Sequence, residues 1–165
     1  MKKIAPLIII ALVITGYFLF GTATLRSAPA IEITSLKGKI LHATNRNGKP
    51  LLLTFWATTC SSCVKEMPHL IELQTQLANR LDIVGVAMSY DNIDHIHEMI
   101  KRRKLNYNIV YDQSGEIAQA FGGIRLTPTS YLVSPQGQII YQKIGDIDFK
   151  KLEHLITELN SQTTG

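Results

Sequence analysis

The chain opens on Met1-Lys2-Lys3 and then runs from residue 4 to residue 25 without a charge. After residue 30 the pattern changes to short apolar runs separated by polar turns. Residues 31–36 and 40–43, on either side of Lys37-Gly38-Lys39, predict a small strand–turn–strand unit. The stretch from residue 45 to residue 50 is turn chemistry. Leu51–Trp56, L-L-L-T-F-W, is a continuous apolar run of the kind that fills a strand covered on both faces. Beyond Cys60, Met67, Leu70, Ile71, Leu73 and Leu77 recur at helical spacing, with Pro68 placed to kink that helix. Residues 81–88 predict a second buried strand, and Asp91 is placed to cap a helix presenting Ile93, Ile96 and Ile100. Asn108–Tyr111 reads as a short strand, and residues 116–121 as a short helix stopped by Gly122-Gly123. Thr129–Val133 and residues 138–144 form a hairpin turning at Pro135-Gln136-Gly137. Asp148 is placed to cap a last helix with Phe149, Leu152, Leu155, Ile156 and Leu159 inward. The order β-α-β-α-β-α-β-β-α after the first hairpin predicts an α/β fold. Its mixed sheet carries helices on both faces and an antiparallel end.

The uncharged run of 22 residues would make a helix about 33 Å long at 1.5 Å per residue, enough for a hydrocarbon core of about 30 Å. Cleavable signal cores span only about 7–15 residues. Ala28-Pro29-Ala30 does have the small-residue pattern of a cleavage site, but the length of the run favours a retained anchor. The expected organisation is therefore an anchor over residues 1–25, a linker over 26–30 and one domain over 31–165. Lys2 and Lys3 orient the N-terminus inward. That places the domain on the extracytoplasmic side of a bacterial inner membrane as a single-pass protein. Thiols tend to be oxidised in that compartment.

Charge adds little. The formal net charge is +4, but Lys2, Lys3 and Arg26 precede the domain, which is left close to neutral. Such a balance is unlike a nucleic-acid footprint, and no nucleic-acid partner is expected. The cluster Lys101-Arg102-Arg103-Lys104 follows an apolar periodic segment and reads as a helix C-terminus, where cations complement the dipole.

The chemistry lies in two cysteines, Cys60 and Cys63, which have no other cysteine to pair with. As a staple the pair closes a tiny loop and restricts the unfolded chain little. As a zinc site it lacks ligands, since there is no second C-x-x-C and His42, His69, His95, His97 and His154 are scattered. No metal is expected. Electron transfer fits better. Cys60 falls where the buried strand gives way to a helix, and the free N–H groups and positive dipole end of a helix start stabilise a thiolate. Such positions bring a cysteine pKa from about 8.5 down toward 3.5–7.5. Cys63 lies one turn further along on the same side. The spacing makes Cys60 the attacking sulfur and Cys63 the resolving one.

Residues 55–63, F-W-A-T-T-C-S-S-C, resemble the F-W-A-x-W-C-x-x-C signature of the thioredoxin superfamily. Residues 63–68, C-x-x-E-x-P, are similar to the membrane-anchored branch related to TlpA, ResA and the cytochrome c maturation thioredoxins. Thr127-Pro128-Thr129 resembles the family's cis-proline loop, which faces the two cysteines. The likeness covers roughly residues 31–160, and the extra strand and helix between the cysteine helix and the proline loop also resemble that branch. It implies a thioredoxin-like fold and a redox-active Cys60–Cys63 disulfide. Glu66 becomes a catalytic carboxyl that exchanges protons with Cys63 and tunes both thiols. Thr127 and Pro128 become a substrate-binding loop, with Thr127 pairing as a strand with extended polypeptide. Trp56, Ser61 and Ser62 join them around the substrate, with Trp56 packed beneath the active-site loop. The resemblance further implies reduction of protein disulfides, apocytochrome c among them, and recharging by a membrane thiol-electron donor. It implies no cofactor beyond the dithiol, and a monomer.

Three positions depart from the family pattern. Thr59 replaces a tryptophan and removes an apolar face beside Cys60. Ser61-Ser62 replaces a proline-containing pair, so the hydroxyls are free to bond a thiolate. Thr54 stands where many thioredoxins bury an acid, which shifts that role to Glu66. Two rival activities use the same thiols: an envelope disulfide oxidase or isomerase, and a metal-binding chaperone. A thiol peroxidase would need Pro and Thr at positions 53 and 57, where Leu53 and Ala57 stand.

Overall fold

The computed structural model describes residues 26–44 and 48–163. The expected anchor, residues 1–25, lies outside the described residues. Among those described, no helix is long and apolar enough to cross a membrane.

Within the described residues, seven strands and four helices follow in the predicted order. They are β1 (Glu32–Thr34), β2 (Ile40–His42), β3 (Leu51–Trp56), α1 (Ser61–Leu77), β4 (Asp82–Ala87), α2 (Ile93–Arg103), β5 (Asn108–Tyr111), α3 (Glu116–Ala120), β6 (Thr129–Val133), β7 (Ile139–Ile144) and α4 (Phe149–Thr163). β1 and β2 pair antiparallel as a separate hairpin. The other five form one mixed sheet in the order β5-β4-β3-β6-β7. β3, β4 and β5 run parallel, while β6 and β7 add the antiparallel end.

β3 lies at the centre of this sheet, and every one of its residues is buried. Successive side chains on a strand point to opposite faces. Leu52 and Trp56 join the core made with α1, α2 and α4. Leu51, Leu53 and Phe55 join a second core with the β1–β2 hairpin and α3. Phe55, Phe121 and Tyr131 meet edge to face or tilted in that second core, with ring centroids 5.1–6.2 Å apart. A strand packed on both faces has no freedom to slip by one residue. The point where β3 ends, just before the cysteines, is thereby fixed.

The structure changes two local expectations. The sequence predicts a linker over residues 26–30, but the first part of that stretch is docked on the domain. Ser27 bridges Gln138, Ala28 donates to the Gly137 carbonyl at 2.8 Å, and Ile139 donates to the Arg26 carbonyl at 2.8 Å. The start of β7 supplies the free edge that makes this pairing available. Asp91 does not cap α2. That cap is Asn92, whose Oδ1 accepts from Asp94 N at 2.8 Å and His95 N at 3.4 Å. Asp148 does act at the start of α4, its Oδ1 accepting from Lys151 N at 3.0 Å. The basic cluster is the end of α2, with Lys104 as a left-handed C-cap.

Gly85, at the middle of β4, lets the sheet approach Trp56. A Cβ there would lie 3.0 Å from Ile109 Cδ1, 3.1 Å from Trp56 Nε1 and 3.1 Å from Tyr107 Cε2. Two of those neighbours are rigid rings in the core. Gly85→Ala is expected to destabilise the fold by about 1–3 kcal/mol, as overpacking does; denaturant unfolding of the oxidised protein measures it.

Candidate active site

β3 ends at Trp56, and the chain turns through Ala57, Thr58 and Thr59 into α1. Cys60 N–H closes that turn on the Ala57 carbonyl at 3.1 Å. Cys60 is then the N-cap of α1, in extended conformation with φ −85° and ψ 104°. An N-cap side chain normally offers oxygen to the first free N–H groups of a helix. Here the acceptor is sulfur: Cys63 N–H donates to Cys60 Sγ at 3.2 Å. Ser62 Oγ lies 3.5 Å from the same sulfur. The first turn carries no acidic side chain that would oppose a negative charge there.

Cys60 and Cys63 form a disulfide, S–S 2.09 Å with Cα atoms 5.3 Å apart. The two sulfurs are not equivalent. Cys60 is half-buried at the surface, whereas Cys63 is buried in the core beneath it. An incoming thiol or disulfide meets Cys60 first.

Behind Cys63, one turn along α1, lies Glu66, also buried. Its Oε1 accepts from Ile147 N–H at 2.5 Å. Burial holds the carboxyl above its ordinary value of 4.5. The Ile147 N–H opposes that rise, Asp146 adds to it and His69 opposes it. Glu66 and Cys63 line one small cavity, together with Thr54, Trp56, Met67, Leu70 and Tyr107. Its volume, about 10 Å³, is near the size that admits one water molecule. Trp56 Nε1 is buried with no protein partner among the described residues. Tyr107 is raised well above its ordinary value by burial and by Glu66. Thr54 is buried on β3 and accepts from Ser130 Oγ at 2.9 Å.

The Thr127–Pro128 peptide is cis. Pro128 is buried, and its carbonyl accepts from Gly145 N at 2.8 Å. Thr129 pairs with Phe55 across β6 and β3. Thr127 and Pro128 therefore lead into β6 at the end of the sheet where β3 finishes and the chain turns toward Cys60. Thr127 is half-buried, and among the described residues no loop hydrogen bond engages its backbone. The fold thus gathers Cys60, Cys63, Ser61, Ser62, Thr127 and Pro128 at one end of the sheet, with Glu66 beneath.

Trp56 requires a correction. It is 3% exposed and belongs to the core. It packs under the turn and presents no surface to a substrate, because the sixth position of β3 points inward. Among the described residues no cluster of three His, Cys, Asp or Glu could hold a metal ion. His69 instead stacks on Phe149, ring centroids 4.8 Å apart. The residue that sequence reasoning misplaced is Asp91. Its carboxylate accepts from Thr58 N at 2.5 Å and Thr58 Oγ1 at 2.6 Å, in the turn before Cys60. These partners are 33 residues apart, and no local spacing signals such a contact.

A family model described as Redoxin matches residues 25–156. The chain belongs to the Redoxin family. Among relatives, this redoxin is 30% identical over 135 residues to the thiol-disulfide oxidoreductase ResA of Bacillus thuringiensis subsp. konkukian. That match covers 81% of this chain and 77% of the relative. It superposes on the crystal structure of StoA from Bacillus subtilis with a TM-score of 0.66 and 28% identity, covering 76% of this chain and 98% of that one. The thioredoxin domain of a thiol-disulfide oxidoreductase from Bacteroides vulgatus gives a TM-score of 0.68 and 27% identity, covering 82% and 99%. With its thioredoxin-like fold and Cys60-x-x-Cys63 pair, this redoxin is a thiol-disulfide oxidoreductase of the ResA and StoA type.

The raised pKa of Glu66 predicts a pH-dependent stability. Below its ordinary value of 4.5 the carboxyl is protonated in both the folded and unfolded chain, and contributes no difference. Above 4.5 the unfolded chain ionises freely while the folded one resists, so the folded state loses stability as pH rises. Glu66→Gln removes this penalty. The melting temperature of the oxidised variant, minus that of wild type, is expected to increase from pH 4 to pH 7; thermal unfolding across that range measures it.

Proposed function

We propose that this oxidoreductase works as a reductase of protein disulfides on the outer side of a bacterial membrane. The observation that carries the reading is the half-buried Cys60 sulfur at the start of α1, accepting the Cys63 N–H, with a buried partner sulfur below it. A sulfur so placed is stabilised as an anion. The reduced enzyme begins with a Cys60 thiolate and a Cys63 thiol. Cys60 attacks one sulfur of the substrate disulfide, forms a mixed disulfide and releases the other substrate sulfur as a thiolate, which takes up a proton. Cys63 then loses its proton and attacks Cys60 Sγ. This closes the Cys60–Cys63 disulfide and releases the second substrate sulfur. Two electrons have passed from the dithiol to the substrate.

Glu66 is the group that takes the Cys63 proton. Its raised pKa and shared cavity support that role, since a base of this kind works best when its pKa approaches ambient pH. Thr127 and Pro128 bind the substrate chain, with the unengaged Thr127 backbone as a short strand edge. Ser61 and Ser62 flank the attacking sulfur, and the Ser62 hydroxyl lies within reach of it. Residues 1–25 serve as a retained single-pass anchor, supported by the length of the uncharged run and the two lysines before it. The substrate class is a protein carrying a disulfide, with apocytochrome c as the leading case. A membrane thiol-electron donor restores the dithiol.

Cys63→Ala is expected to accumulate mixed disulfides through Cys60 in cells, because the resolving step is lost. Cys60→Ala is expected to capture none. Non-reducing electrophoresis and mass spectrometry read both variants and identify substrate and donor. Equal capture by the two variants contradicts the assigned roles, and a wild-type pair found mainly oxidised in cells favours an oxidase.

A further inference from the structure

We propose that Asp91 and Thr58 are positioning residues for Cys60: their paired hydrogen bonds hold the turn before α1, so that the sulfur remains at the helix start after the disulfide opens. The inference rests on the exchange reading and extends it to residues outside the C-x-x-C motif.

Both Thr58 donors are used. The backbone N–H donates to Asp91 Oδ2 at 2.5 Å and the hydroxyl to Oδ1 at 2.6 Å. Hydrogen bonds to an ionised carboxylate are short and about twice as strong as neutral ones. Asp91 is itself held from three sides. Its N–H donates to the Met88 carbonyl at 3.0 Å, and Met88 N–H donates to the Trp56 carbonyl at 3.0 Å. Its carbonyl accepts from Tyr111 OH at 3.0 Å, a hydroxyl that also reaches the Ser89 carbonyl at 3.3 Å. Its Oδ1 accepts from Asn92 N at 2.9 Å. The bracket therefore runs from the ends of β3, β4 and β5 to Thr58, two residues before Cys60.

The two redox states need this bracket unequally. In the oxidised protein the disulfide ties Cys60 to Cys63 on α1, and the turn is held covalently. In the reduced protein that tie is gone, and only non-covalent contacts keep Cys60 in place as the acceptor of the Cys63 N–H. The Thr58–Asp91 contact is then worth more, and it favours the reduced, thiolate form. A bare charge effect has the opposite sign, since a carboxylate near Cys60 disfavours a second anion. Thr58→Val keeps the Asp91 charge and removes only the hydroxyl bond, so it separates the two effects.

Reduction potentials of the full-length protein, equilibrated with glutathione buffers, test the inference for wild type, Thr58→Val, Thr58→Ser and Asp91→Asn. Thr58→Val is expected to lose up to about tenfold in the equilibrium constant favouring the reduced form; the bond is also made in the oxidised protein, so the full worth of one hydrogen bond to a charged group is the ceiling. That ceiling corresponds to a shift of about 30 mV toward a more reducing potential. Thr58→Ser is expected to lie within about twofold of wild type, because it retains the hydroxyl. Asp91→Asn is expected to shift in the same direction as Thr58→Val, and a shift the other way, with charge outweighing positioning, overturns the inference. An unchanged or less reducing potential in Thr58→Val overturns the inference, including when that variant melts at a lower temperature. The potential is read against glutathione, so the result holds whichever protein the enzyme reduces; loss of partner capture by Cys63→Ala bears on the exchange reading alone.

Discussion

The helix that begins at Ser61 starts with N–H groups that need an acceptor, and the chain offers a sulfur. Much of the site follows from this one contact. A helix start favours negative charge by its dipole and by its free donors together. Cys60 sits at that point because β3 cannot move: its side chains are packed from both faces, and it is the central strand of the five-stranded sheet. The three-residue turn after Trp56 then has little freedom, and its closure on Ala57 sets the sulfur at the cap.

Burial divides the labour between two chemically identical side chains. Cys60 faces outward where a partner can reach it, and Cys63 faces a core containing Trp56, Met67 and Leu70. A thiol in apolar surroundings resists ionisation. In the proposed exchange such a sulfur gives its proton to a neighbour, and Glu66 shares its cavity. The carboxyl comes from α1, while β3 lines the same cavity with Trp56 and with Thr54, bonded to Ser130. An acid on the helix and a hydroxyl on the strand thus occupy one buried space.

Much of this was legible in the sequence because it is local. L-L-L-T-F-W marked β3 at its observed bounds, helical spacing marked α1, and the C-x-x-C spacing placed one sulfur above the other. The hairpin turn at Gly137 followed from turn chemistry, and Gly137 has φ +81° with a Cβ position only 2.9 Å from the Thr44 carbonyl. What was not legible depends on pairs far apart in the chain. Glu66 meets Ile147 across 81 residues, and Thr58 meets Asp91 across 33. Asp91 carried a plausible local role as a helix cap, and Asn92 beside it took that role, leaving the carboxylate for the turn. The continuous apolar run predicts that both faces of β3 are covered, as they are, and a buried position on such a strand leaves Trp56 no surface to offer a substrate.

The proposed exchange turns on Cys60 being an anion by virtue of its position. Alkylation of the fully reduced protein with iodoacetamide across pH 4–10, read site by site by mass spectrometry, measures this directly. The predicted result is a Cys60 midpoint well below the free-cysteine value of about 8.5, with Cys63 reacting only at higher pH. A Cys60 midpoint equal to that of free cysteine, or a Cys63 that ionises first, contradicts it.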